Sequence, residues 1–91
     1  MLHLRFPMNP PKRYVYVLQS EKAPDRHYID LSADVAARLA SHNRGESIHT
    51  AGKRPWILLT AIEFRNPASA AAFERYLKSG SGRAFAKRHF V

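Results

Sequence analysis

Tyr14-Val15-Tyr16-Val17-Leu18 is a dense run of aromatic and β-branched side chains, and the rest of the fold is built around it. A period of two puts Tyr14, Tyr16 and Leu18 on one face of a strand. The next residues include Ser20, Pro24 and Asp25. These turn formers reverse the chain into a second run, His27-Tyr28-Ile29-Asp30-Leu31, and the two runs are expected to pair as an antiparallel hairpin. Upstream, Pro7, Pro10 and Pro11 fix φ and remove backbone donors. Residues 1–12 therefore read as an extended leader, and residues 13–91 as the domain.

Beyond the hairpin, Ser32 is a good N-cap, Asp34 suits the positive end of a helix dipole, and Val35, Ala36, Leu39 and Ala40 form an apolar stripe. A helix is expected over 33–43, with Gly45 as its left-handed stop. A polar stretch then leads into Trp56-Ile57-Leu58-Leu59-Thr60-Ala61-Ile62, which is apolar on both faces and is expected in the middle of a sheet. Asn66-Pro67 reads as a cap with proline at the first helical position, opening a helix over 68–79. Ser79-Gly80-Ser81-Gly82 is expected to break it as a hinge, with a last basic turn or short helix over 83–89.

The 91 residues have room for one core. An apolar fraction of 45%, with five Phe, four Tyr and one Trp, argues for a packed domain over a disordered basic tail. The absence of cysteine excludes disulfides, thiolate zinc sites and a cysteine nucleophile, and suits a reducing compartment. Fifteen Lys and Arg against seven Asp and Glu leave a net charge of +8, which points to a polyanionic partner, nucleic acid first. No apolar run is long enough to span a bilayer, and the start of the chain lacks a secretory signal, so the expected address is the cytoplasm and no membrane partner is expected.

A few side chains look costly as core and sensible as a site. Glu74 falls on the apolar stripe of the second helix with Ala70, Phe73 and Leu77, so its carboxylate must be paired, protonated or metal-bound. Lys78, four residues on, is the structural candidate for a partner. Arg38 and His42 are one helical turn apart and can together clamp and protonate a phosphate, although Asp34 can also pair with Arg38 and His42 can simply answer the helix dipole. Tyr14, Tyr16 and Tyr28 crowd the hairpin beside this basic helix. The acidic residues show no cluster suited to two metals, which leaves one-metal chemistry open, and the five histidines show no paired zinc spacing.

Taken in order, Tyr14-Val15-Tyr16-Val17-Leu18, Tyr28-Ile29-Asp30, Arg38-Leu39-Ala40-Ser41-His42-Asn43-Arg44-Gly45, Thr50 with Lys53-Arg54-Pro55-Trp56, and Ala72-Phe73-Glu74 with Leu77-Lys78-Ser79-Gly80 resemble the GIY-YIG nuclease family over residues 13–88. The pattern looks closest to small single-domain bacterial members, which are similar to the nuclease domain of the excision-repair excinuclease. The resemblance implies an α/β (α+β) fold, with a small three-stranded mixed or antiparallel sheet flanked by about three helices. It also implies hydrolysis of DNA phosphodiester bonds with Mg²⁺ or Mn²⁺, in structured or damaged DNA. Tyr16 and Tyr28 match the two motif tyrosines, Arg38 and His42 the helix-borne pair, and Glu74 the metal-binding glutamate. On this reading a water attacks phosphorus in line, Tyr16, Tyr28 or His42 handles its proton, and Arg38 or the metal favours the Tyr16 phenolate. Lys53, Arg54, Lys78, Arg83, Lys87 and Arg88 are expected to contact the DNA backbone. A homodimer or a protein partner is the expected source of further specificity.

The second motif departs from the family, because Asp30 stands where Tyr-Ile-Gly has glycine. A carboxylate there adds bulk and would repel a phosphate at 4 Å by about 1 to 4 kcal/mol, depending on the dielectric. The alternative function is therefore a nucleic-acid-binding module with impaired catalysis. Asp30 turned toward a cation, or lent to the metal as a second carboxylate, are the other readings of this position.

Overall fold

The computed structural model describes residues 10–91, and the leader expected over residues 1–12 lies mostly outside that range. The elements run β1 (Tyr14–Ser20), β2 (His27–Ser32), α1 (Val35–Asn43), a short 3-10 turn (Ala51–Lys53), β3 (Trp56–Glu63), α2 (Pro67–Leu77) and α3 (Gly80–His89). The three strands form one sheet in the order β2-β1-β3, with both pairings antiparallel. Three strands and three helices make this an α+β domain.

The aromatic and β-branched run of β1 is the centre of the sheet. Val15, Tyr16, Val17 and Leu18 are each 1% exposed or less, because helices cover both faces of β1. On one face Tyr16 and Leu18 pack with Trp56, Tyr28, Val35 and Leu39 under α1. On the other, Val15 packs with Ala70, Leu77 and Ala86 of α2 and α3, joined by Ile29, Leu31 and several phenylalanines. Register maintains this division, since Tyr16 pairs with Asp30 and Leu18 with Tyr28, whereas Val15 pairs with Leu31 and Val17 with Ile29.

β3, expected in the middle, is instead an edge strand. Its apolar character does not come from two covered faces: Ile57 and Leu58 are 40% and 41% exposed. Val17 pairs with Thr60 but Leu18 with Leu58, so Leu59 is an extra residue and the facing of β3 shifts at that bulge.

The first helix starts later than expected. Asp34, not Ser32, is its N-cap, accepting from the Ala37 N–H at 3.0 Å, while the Ser32 hydroxyl accepts from the Asp34 N–H. Asp34 is thereby used on backbone, and among the described residues no ion pair joins it to Arg38. Gly45 is the expected left-handed stop, at φ +80°. Asn66 caps α2 through the Ser69 N–H, with Pro67 at the first position. The helix break falls at Lys78-Ser79, but Gly80, Ser81 and Gly82 belong to α3, with Ser79 as its N-cap. Gly82 is the point of closest approach between the last two helices, where a Cβ would collide with the Tyr76 carbonyl.

The loop from 44 to 55 is tied down by side chains acting as strand partners. Asn43 donates to the Trp56 carbonyl at 2.9 Å and accepts from its N–H at 2.7 Å, and the Trp56 indole donates to the Thr50 carbonyl. No helix among the described residues is long and apolar enough to cross a membrane.

Candidate active site

The site grows from the α1 face of the hairpin. Tyr16 and Tyr28 project there because the register puts Tyr16 opposite Asp30 and Tyr28 opposite Leu18. Arg38 and His42, one turn apart on α1, share that helix's covering face. The result is a stacked group: the Tyr28 ring centroid is 5.0 Å from that of His42, edge-on, and 6.4 Å from that of Tyr16.

Hydrogen bonds divide the group into two proton-holding sets. Tyr16 Oη lies 2.9 Å from His42 Nε2, and His42 Nδ1 lies 2.7 Å from Thr50 Oγ1. Thr50 Oγ1 also lies 3.5 Å from the Ser47 carbonyl, long for a hydroxyl donor, so its close partner is the His42 ring. Burial, and then the Arg38 charge, hold His42 below the usual imidazole value, consistent with a neutral ring. In the second set, Tyr28 Oη donates to Asp30 Oδ2 at 3.0 Å, and the other Asp30 oxygen accepts from the Leu31 N–H at 2.8 Å.

Neither phenol is activated toward its phenolate. Burial raises Tyr16 above the ordinary phenol value, and the Asp30 charge adds to this. Arg38 stands close enough to pull the other way and is outweighed. Tyr28 is pushed up to about 12 by burial and by its bond to Asp30. The expectation that Arg38 favours the Tyr16 phenolate is thus corrected, because desolvation overrides the guanidinium. Tyr16 and His42 are completely buried, whereas Tyr28 and Asp30 are only partly so.

Glu74 comes from α2, which packs on the opposite face of the sheet from α1. Its side chain is 13% exposed and forms an ion pair with Lys78. Among the described residues no three His, Asp or Glu gather as a metal cage. A donor set of one or two carboxylates still suits Mg²⁺, which keeps several waters and takes its remaining oxygens from substrate phosphates.

The basic residues separate into two groups. Lys78, Arg83 and Lys87 line a cleft of about 1000 Å³ beside the β2 edge, together with Arg26, His27 and the anion Asp25. Tyr28 borders this cleft from β2, but Val17, Ile29, Leu77 and Ala86 also line it, which puts it on the α2/α3 side of the sheet, across from the pair of Tyr16 and His42. Lys53, Arg54 and Arg88 lie elsewhere. Arg54 donates to the Ala51 carbonyl and rests on Gly45, Lys53 belongs to the 3-10 turn, and Arg88 is exposed on another face of α3 near Tyr76 and Phe85. Sequence reasoning misses Thr50 as the residue that orients His42, and Arg26 and His27 as cleft residues. The signal for the last two is their position at the entry to β2, just ahead of Tyr28.

The profile of the GIY-YIG catalytic domain matches residues 12–88. The chain is also 42% identical over 67 residues to the structure-specific endonuclease subunit SLX1 of the yeast Scheffersomyces stipitis, an alignment covering 66% of this chain and 20% of that protein. The chain thus spans about a fifth of the length of that curated relative. No solved structure matches. The profile covers most of the chain, and the three-stranded antiparallel sheet with three helices is consistent with it; the chain belongs to the GIY-YIG family of endonucleases.

Proposed function

We propose that this domain is a divalent-metal-dependent DNA endonuclease acting on structured or damaged DNA in a cytoplasmic repair setting. The observation that carries the reading is the shared placement of two phenols, an imidazole and a guanidinium on the α1 face of the sheet, while the cations Arg26, Lys78, Arg83 and Lys87 line a cleft at the β2 edge on the α2/α3 side. The preference for structured DNA follows the name of the yeast relative, which is also called a subunit. A protein partner or a second copy is accordingly proposed to help grip the substrate.

In this mechanism the cleft cations hold the strand by its phosphates, which steers binding without reading sequence. Arg38 faces the scissile phosphate and neutralises charge that builds on its non-bridging oxygens. Tyr28, the less buried phenol, orients the attacking water. Tyr16, His42 and Thr50 form a buried chain that fixes the α1 face beneath it. Glu74 is the carboxylate that would hold Mg²⁺ or Mn²⁺ on the α2 side of the sheet, opposite the α1 face that carries Arg38 and Tyr28, with Lys78 shifting its ion pair to a phosphate. When bound, the metal would supply positive charge to a phosphate of the DNA.

Incubating the protein with branched and nicked DNA, with Mg²⁺, Mn²⁺ or EDTA, tests the reading. Metal-dependent cutting is expected, with Arg38→Ala and Glu74→Ala each lowering the rate by about 10²-fold or more. The Asp30 charge beside both tyrosines favours a second reading, a binding module with impaired cleavage. Salt-sensitive DNA binding without cutting by the unmodified protein would select it.

A further inference from the structure

We propose that Asp30 is the terminal proton acceptor for the attacking water, reached through the Tyr28 hydroxyl. This rests on the nuclease reading and deepens it at one position, where the family has glycine. The geometry is specific. The Tyr28 proton already points at Asp30 Oδ2, and the Leu31 N–H holds the other carboxylate oxygen, so the acceptor cannot swing away without breaking two bonds. Alone, a phenol held this way is a poor base. With Tyr28 pushed up to about 12, roughly one molecule in 10⁵ carries the phenolate at neutral pH. A phenol that passes its own proton on as it receives another needs no phenolate at all.

In the reacting step a water O–H bond breaks and its proton moves to Tyr28 Oη, while the Tyr28 proton moves to Asp30 Oδ2. The water oxygen bonds to phosphorus, the bond from phosphorus to the leaving sugar oxygen breaks, and that oxygen takes a proton from solvent. Asp30 then returns its proton to solvent. The groups facing Asp30 are Tyr28 on its own strand, Tyr16 opposite it on β1, and Arg38 and His42 from α1. Tyr16 is committed to His42 and does not compete for the proton. Asp30 is thus a positioning residue acting through Tyr28, and the carboxylate charge that would repel a phosphate is occupied by a phenol proton.

The test is the single-turnover rate against pH for the unmodified protein and for Asp30→Asn, Asp30→Gly and Tyr28→Phe, with DNA affinity measured in parallel. The expected result is a loss of about 10²- to 10⁴-fold in Asp30→Asn near neutral pH. The variant's rate should climb with pH as hydroxide replaces the relay, while the unmodified protein shows a plateau that falls only on the acid side. Ultraviolet titration of the phenols gives a readout independent of cutting, in which the Tyr28 ionisation should move down in Asp30→Asn. An unchanged pH profile in Asp30→Asn, faster cutting by Asp30→Gly, or an unmoved Tyr28 titration would each overturn the relay. Absence of cutting by the unmodified protein with either metal would instead sink the nuclease reading, and the relay with it.

Discussion

His42 shows what burial does to a single titratable group. Its ring is fully buried, bonded to Tyr16 and Thr50, and held below the ordinary imidazole value of 6.5 by desolvation and by Arg38, with Asp30 opposing. Between the native and unfolded values the unfolded chain binds a proton that the native chain excludes. Stability from this group is therefore complete above the unfolded value and is lost as pH falls through the lowered native one. The slope cannot exceed about 1.4 kcal/mol per pH unit for one proton. Melting temperatures of the unmodified protein are expected to drop as pH falls through and below the ordinary imidazole value of 6.5, and His42→Gln should give a flatter profile there. An equally steep profile in the variant would assign the loss to other groups.

The junction of α2 and α3 makes the corresponding point for elements. The two glycines that open α3 are chemically alike in the sequence, yet their surroundings differ. A Cβ at Gly82 would collide with the Tyr76 carbonyl, whereas nothing lies within 4 Å of one at Gly80. Gly82→Ala must push α3 off the end of α2 and is expected to cost about 1 to 3 kcal/mol, each kcal/mol lowering the melting temperature by roughly 4–8 °C. Gly80→Ala, in the first turn of the same helix, should be neutral or stabilising by about 0.4–1 kcal/mol, because it only restricts the unfolded chain. Thermal melts of the two variants check the contrast, and equal effects would remove Gly82 as the packing point. The same junction aims Arg83 and Lys87 at the cleft, so a Gly82→Ala chain that still folds should also bind DNA less tightly.

For the molecule as a whole the governing quantity is where the excess of positive charge lies. The +8 balance is a property of composition, but the cations that share the cleft come from three elements or their edges: Arg26 before β2, Lys78 after α2, and Arg83 and Lys87 on α3. Removing Arg83 or Lys87 should lower the magnitude of the slope of log affinity against log salt by about 1 each. Arg88→Ala should change it less, since Arg88 lies on another face of α3. Binding titrations over a series of salt concentrations make the comparison, and equal changes for Lys87 and Arg88 would mean that the strand does not follow the cleft.

The hairpin, the caps at Asn66 and Gly45, and the residues of the tyrosine group are legible directly in the chain, because local periodicity and φ preference act within a few residues. The order of Tyr16, Tyr28, Arg38 and His42 along the chain is enough for the family to be recognised. β3 is misplaced by such reading because an apolar run says how much a strand could bury and nothing about which neighbour covers it. The extra residue at Leu59 is a product of pairing with β1, and the exposure of both Ile57 and Leu58 depends on which helices cover this edge strand. Asp30 looks like a repulsive intrusion from its charge alone, and its bond to Tyr28 depends on side-chain directions. The order of residues thus specifies the elements and the chemistry available to them. That Tyr16 is sealed against His42 while Tyr28 is only partly buried was settled by the fold, because burial and hydrogen-bond partners are set by packing between elements distant in the chain.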